Sequence, residues 1–309
     1  MRKFLLIIML LINVDLKQCF GEDLSQNIKK SNIDKKLVIV SSINPLYQII
    51  LAITENKTDN FLLFKSNFSE HNYQLKSDDV KVLANADLVF YIDEKYEKTL
   101  DKFIKNSDLK AKYFAVTKNK KLTILNARNS AKNFDFHLWL NPINAELIAD
   151  FVVEKLCASD QKNCQFYQKN LSKFKQENQL AIVEIQKKIK NIIKQNFIFY
   201  HDCYQYLEQY FNFSPIMIID YEHGVDVKIS NLKKLDEIIK NNKVKCIFGD
   251  INDEKNSAQK ISRNYQIGFQ KLDVIGLDQI NKKEEGLTIS NGYSQLLTKI
   301  VNNIEKCLQ

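Results

Sequence analysis

An α/β fold follows from three features of the sequence. Short β-branched and aromatic runs alternate with helix-patterned segments on both sides of mid-chain, the rhythm of parallel sheets covered on both faces. Glycine (7) and proline (3) are scarce in 309 residues, which argues against a loop-rich all-β fold. Residues 143–214 contain neither, and within them an apolar stripe recurs at steps of three and four. The expected architecture is two Rossmann-like lobes with parallel sheets, joined by one long backbone helix.

The N-terminus reads as an export signal. Arg2 and Lys3 precede an apolar run over residues 4–14, and Cys19 and Gly21 stand at the −3 and −1 positions of a cut after Gly21. The run is too short to span a bilayer comfortably. A lipid anchor on Cys19 is the alternative, disfavoured because Lys17 and Gln18 stand where small or apolar residues are wanted. Cleavage removes Arg2, Lys3, Lys17 and Asp15, which takes the net charge from +8 to +6 and leaves no membrane span. Lysines alternate with acidic residues, as on a solvated surface. No zinc-finger spacing, RNA-binding strand motif or basic block points to nucleic acid.

Residues 36–40 are a β-branched run, followed by Ser-Ser-Ile-Asn-Pro and a helical pattern over 46–53. Residues 61–64 read as a second strand. A polar loop at 66–72 carries Glu70 and His71. Ser77 is the expected cap of a helix to residue 84, with Asp78 and Asp79 in its first turn, where negative charge suits the helix dipole. Strands follow at 87–92 and 112–116, with a helix over 96–104 between them. The stripe Tyr167, Leu171, Phe174, Ala181, Ile185, Ile189 and Ile192, interrupted by a polar break at Asn178, predicts one helix over residues 163–193. At 1.5 Å per residue it would be roughly 45 Å long, enough to brace two lobes. The stripe is too irregular and too short for a coiled-coil arm. Strands then follow at 197–200, 216–219, 244–248 and 272–275, alternating with helices over 204–211, 232–239 and 254–263, and residues 292–308 close the chain as a helix. The implied divisions are a signal peptide (1–21), an N-terminal α/β lobe (22–158), a linking helix (159–195) and a C-terminal α/β lobe (196–309). The halves share a strand–helix rhythm without repeating in sequence.

Export permits disulfides. The mature chain keeps five cysteines, so at least one stays unpaired within it. Cys157 and Cys164 flank a short polar loop, as local partners would. Cys246 ends a strand-like run and Cys307 the last helix, and a bridge between them would staple the terminus. Cys203 is then left over, as a soft ligand or a small buried residue.

The chemistry-bearing stretch is Asn-Phe-Asp-Phe-His-Leu-Trp-Leu-Asn-Pro, residues 133–142, which holds His137, one of four histidines, and Trp139, the one tryptophan. An imidazole between Phe136 and Leu138 needs a partner on each ring nitrogen, or a metal on one. Three histidines share a context. His71 precedes the helix at Ser77, His137 precedes Pro142 and a helix, and His201 ends a strand. Ligands of parallel α/β sheets bind at the carboxyl ends of the strands, so loops from both halves can converge on one cleft. Three imidazoles there suit zinc, with a carboxylate or water completing the shell. Taken singly, each histidine also has a structural reading, and His223, in Tyr-Glu-His-Gly, keeps it.

These segments are similar to those of a known family. Ser69-Glu70-His71-Asn72-Tyr73-Gln74-Leu75, followed by Ser77-Asp78-Asp79-Val80 and Asn85-Ala86-Asp87-Leu88-Val89, resembles the first ligand region of the zinc-binding proteins of ABC importers, the ZnuA-like group. Asp135-Phe136-His137-Leu138-Trp139-Leu140-Asn141-Pro142 looks like the second. Phe199-Tyr200-His201-Asp202-Cys203-Tyr204 is similar to the third, and Leu272-Asp273-Val274-Ile275-Gly276 resembles a later segment whose aspartate ligates metal in some relatives. Val244 to Phe248 and Glu305 to Leu308 look like the regions whose cysteines, here Cys246 and Cys307, form a disulfide in that group. The resemblance runs in order from Leu37 to the C-terminus.

It implies a periplasmic solute-binding protein rather than an enzyme. Such a protein is a monomer that takes a divalent metal in the interlobe cleft and hands it to an ABC permease in the membrane. Carried over residue by residue, the ligands are His71, His137 and His201, with Asp273 and Glu70 as candidates for a fourth. Manganese-selective relatives tend to place a carboxylate where His201 stands, so imidazole there favours Zn2+. One departure is the segment at residues 118–133, which is short, basic and free of histidine where many zinc-specific relatives carry a long His- and acid-rich loop. Three other readings compete. They are a manganese importer subunit of the same family, an adhesin keeping the fold, and a secreted zinc hydrolase with Glu70 as general base. No His-Glu-x-x-His run supports the last.

Overall fold

A computed structural model describes residues 35–65, 73–108, 112–128, 130–220, 229–251, 255–279 and 292–309. The expected signal peptide with Cys19, the loop with Glu70 and His71, and His223 lie outside the described residues.

The first sheet is built from β1 (Leu37–Ser41), β2 (Thr58–Leu62), β3 (Leu88–Tyr91) and β4 (Tyr113–Ala115), all parallel, in the order β2-β1-β3-β4. Its helices are α1 (Asn44–Thr54), α2 (Ser77–Asn85) and α3 (Lys98–Lys105). β2 starts three residues before the expected strand, on Thr58-Asp59-Asn60. It is an edge strand paired only to β1, so its exposed positions need not be apolar. Lys76, not Ser77, is the N-cap of α2, and its backbone N–H donates to the Asp79 carboxylate at 2.8 Å.

Next comes an antiparallel hairpin that the sequence pattern does not announce, β5 (Asn126–Ala127) and β6 (Ser130–Phe134). It leads to α4 (Pro142–Ser159), whose cap is the Asn141 side chain, accepting from the backbone of Ile143 and Asn144, with Pro142 in the first turn. The long helix is α5 (Cys164–Ile192), 29 residues and roughly 43 Å at 1.5 Å per residue. Asn178 does not break it. The side chain is fully buried and donates to Pro142 O (3.0 Å) and the Glu146 carboxylate (2.8 Å), so a polar residue in the stripe fastens α5 to the start of α4.

The second sheet holds β7 (Phe197–His201), β8 (Met217–Asp220), β9 (Cys246–Asp250) and β10 (Gly268–Leu272), with α6 (Gln205–Phe211), α7 (Ile229–Asn242) and α8 (Ser257–Tyr265). Its order is β10-β9-β7-β8, again all parallel. Counted from the first strand of each half, both sheets run second-first-third-fourth. The halves therefore repeat in topology where they do not in sequence. The last helix is α9 (Gly292–Leu308).

One apolar core runs from Ile39 on β1 to Leu308 on α9, taking in both sheets and the inner stripe of α5, including Phe174, Ile182 and Ile189. A smaller cluster of Ile198, Met217, Ile219, Leu235 and Ile247 fills the face of the second sheet against α7 and α8. Both expected disulfides are present. Cys157–Cys164 joins the end of α4 to the start of α5, and Cys246–Cys307 joins β9 to the end of α9. Cys246 opens its strand rather than ending it. A Cβ on Gly268 would stand 3.1 Å from the Cys307 sulfur, so glycine leaves room for that bridge. No described helix is long and apolar enough to cross a membrane.

Candidate metal centre

Three reaches of chain are knotted together around Trp139. Its indole is buried, and Nε1 donates to the carbonyl of Val274 at 2.9 Å. The Tyr293 hydroxyl donates to the Trp139 carbonyl at 2.7 Å. On the other side of the same turn, Asn44 donates to the carbonyls of Ile275 and Gly276, both at 2.9 Å. The segment with His137 is thereby held against the segment with Asp273.

His137 sits just past β6. One carboxylate oxygen of Asp135 accepts from its backbone N–H (2.9 Å) and lies 2.8 Å from ring Nδ1. A carboxylate against one ring nitrogen is the outer-shell arrangement that metal-ligating histidines commonly use. Asp135 is itself buried, and its carbonyl accepts from the Tyr206 hydroxyl at 2.7 Å. His201 is the last residue of β7 and is buried. Its ring centre is 6.1 Å from that of His137, edge to face. A ring centre stands about 3 Å from a cation bound at 2.0–2.1 Å, so two rings at this spacing can share one ion.

The surroundings suit a cation. Asp250 ends β9, beside β7, and Asp273 follows β10, so two buried carboxylates share the sheet edge with His201. The oxygens of Asp273 accept from the backbone of Gly276 (2.7 Å) and Asp278 (3.1 Å), which fixes its turn and still leaves lone pairs. Burial pushes the Asp202 carboxyl up from its usual range, while Arg128 pulls it back. Burial likewise holds the Cys203 thiol well above its ordinary value, with the charge of Asp250 acting in the same direction. Cys203 is fully buried and is the free cysteine among the described residues, in the packing role rather than that of a thiolate ligand.

Of the expected ligands, His137 and His201 are brought together, and Asp273 lies on the adjoining turn. His71 and Glu70 fall outside the described residues, and within the described residues no group of three His, Cys, Asp or Glu side chains forms a metal cluster. Sequence reasoning missed Asp135 as the partner of His137, and Asp250. A carboxylate at the tip of the strand beside that of His201 was the available signal. It also missed an ion-pair cluster in which Arg128 meets Asp202 at 2.6 Å and Glu208 at 2.7 Å. No local pattern links residues 74 and 80 positions apart.

Known proteins share the chain's fold and family. The high-affinity zinc uptake system protein ZnuA of Brucella abortus (strain 2308) is 22% identical, over 87% of this chain and 91% of that protein. The manganese ABC transporter substrate-binding lipoprotein PsaA of Streptococcus pneumoniae is 26% identical, over 90% of this chain and 91% of that protein. The solute-binding protein FpvC of Pseudomonas aeruginosa, solved in complex with Mn2+, shares the fold at a TM-score of 0.73 and 19% identity, covering 89% of this chain and 99% of that one. The family model described as zinc-uptake complex component A, periplasmic, matches residues 39–307, from β1 to the last turn of α9, and the chain belongs to that family of metal-importer substrate-binding components.

Proposed function

We propose that this protein captures zinc(II) outside the cytoplasmic membrane and delivers it to an ABC-type permease, acting as a binding protein and not as an enzyme. Export follows cleavage after Gly21, and the mature protein is a periplasmic monomer with an N-terminal lobe (22–158), a linking helix (159–195) and a C-terminal lobe (196–309). The ligands are His71, His137 and His201, with Asp273 or Glu70 as the fourth. The observation that carries this reading is the pairing of His137 with His201, with Asp135 orienting the first ring. Imidazole-rich shells suit zinc over manganese. The carboxylates of Asp250 and Asp273 beside them, and the manganese relative, favour a second reading in which Mn2+ is the cargo.

The test is ligand-linked stabilisation. At 100 times its dissociation constant an ion adds about 2.7 kcal/mol, or about 4–5 °C in Tm for a chain of this size. Zinc should raise the Tm of metal-free protein by that much, and His137→Ala should remove most of the rise. An unchanged rise in the variant would reject the site. Competition between Zn2+ and Mn2+ for metal-free protein separates the two readings.

A further inference from the structure

The hairpin β5–β6 belongs in sequence to the first half but is fastened to the second. The Gln205 side chain donates to Asn126 O at 3.1 Å, and Leu125 N donates to the Tyr206 hydroxyl at 2.9 Å. Tyr206 in turn donates to Asp135 O at 2.7 Å. The outermost tie is Arg128, whose guanidinium reaches Asp202 at 2.6 Å through Nη1 and Glu208 at 2.7 Å through Nη2. The Arg128 side chain is 27% exposed, against 7% for Asp202 and 5% for Glu208, so two nearly buried carboxylates meet one partly covered cation. Both ends of this tie lead to the candidate metal centre. Asp202 follows His201 directly, and the hairpin runs through Asp135 into His137.

We propose that Arg128 is a positioning residue that straps the hairpin onto the second half, holding His137 against His201 and so setting how slowly a bound divalent cation leaves. This rests on the reading of those two histidines as ligands. A guanidinium fits the task because its planar fork engages two carboxylates at once, while an ammonium is a single point of charge. Removing it leaves two nearly buried carboxylates near each other without their shared cation, which drives the hairpin off α6. A competing effect has the opposite sign. Arg128 also repels a bound cation through space, and its loss would then tighten binding. That long-range term is screened at 1 M salt, where the Debye length is about 3 Å, whereas the partly buried contact is screened much less.

The experiment uses the full mature chain, with zinc as the probe, in 1 M salt. Zinc-loaded protein is mixed with excess chelator and release is followed in time. Backbone hydrogen exchange of residues 125–135 is measured on the metal-free protein. Arg128→Gln should release zinc about tenfold faster or more, as loss of a charge-assisted contact implies, and should lose hairpin protection. Arg128→Lys should fall between. Lys118→Gln, which removes an exposed ion pair to Glu94 within the first half, should match wild type in both. Release from Arg128→Gln within twofold of wild type would overturn the proposal, as would faster release with hairpin protection intact. Failure of wild type to take up zinc would overturn the metal reading and the release role with it, while loss of protection in the same variant would still support the strap.

Discussion

Replacing Cys246 and Cys307 by alanine tests how the C-terminal helix is secured. The bridge closes a loop of 61 residues, and Cys157–Cys164 closes one of 7. In the chain-entropy account a cross-link stabilises by restricting the unfolded chain, which gives roughly 4 kcal/mol for the long loop and about 2.5 kcal/mol for the short one. The folded state should change little. α9 keeps its apolar contacts through Leu297, Ile300 and Ile304, and Glu305 still accepts from Lys188 (3.2 Å) and Asn191 (3.1 Å) on α5. The assay is urea unfolding of the two double variants, Cys246→Ala with Cys307→Ala and Cys157→Ala with Cys164→Ala, beside wild type without reductant. The first should lose roughly 4 kcal/mol, or about 7 °C in Tm, and should show a steeper urea dependence because its unfolded chain exposes more surface. Equal losses in the two variants, or a larger loss from the short loop, would refute the entropic argument and point to native packing around Gly268 instead.

Two further outcomes are expected. Asp135→Asn keeps an acceptor for the His137 ring but removes the charge behind it. Zinc affinity should fall about tenfold or more, by isothermal titration against a chelator, with the urea midpoint of the metal-free protein nearly unchanged; wild-type affinity would discount the pairing. Glu97 is buried and accepts from Ser42 Oγ (2.5 Å), Ile92 N (3.0 Å) and Asp93 N (2.9 Å), yet burial holds its carboxyl at about 7, above the unfolded 4.5. The native state therefore keeps a proton that the unfolded chain gives up. This contribution is present below pH 4.5 and is lost as pH rises through about 7, by ~3 kcal/mol at 1.36 kcal/mol per pH unit. Glu97→Gln, neutral at every pH, should lack that slope and so gain on wild type as pH rises from 4 to 8, by urea unfolding; an unchanged slope would assign it to other groups.

The long helix was legible because nothing in residues 143–214 can break one and the apolar stripe has helical period. Asn178, the polar interruption of that stripe, shows what such a reading leaves out. A polar residue in the stripe is a break if solvated and an anchor if two acceptors meet it, and those acceptors, Pro142 O and Glu146, lie on another helix. The buried central strands β1, β3 and β7 stood out as apolar runs, while the edge strand β2, starting Thr-Asp-Asn, was misplaced. The hairpin went unseen because its residues face neither core nor a regular alternation; its partners are Asp202, Gln205, Tyr206 and Glu208 of the other half. The histidines were visible through their shared place at strand ends. That the His137 segment lies against the Asp273 turn rests on Trp139 finding Val274, a contact spanning 135 positions that no local pattern encodes.

The shared core limits how cargo can be exchanged. The sheets are not separate jaws on a loose axle, because Phe174, Ile182 and Ile189 of α5 belong to the same apolar mass as β1 and β7. Swinging one sheet away from the other would wet that mass, and at about 25 cal/mol per Å² each 200 Å² so exposed costs about 5 kcal/mol. A docking permease therefore has little reason to prise the molecule open. Lifting a corner at the sheet edge, where polar ties join the modest apolar contacts of Leu125 and Phe136 in holding the flap down, is the cheaper exit.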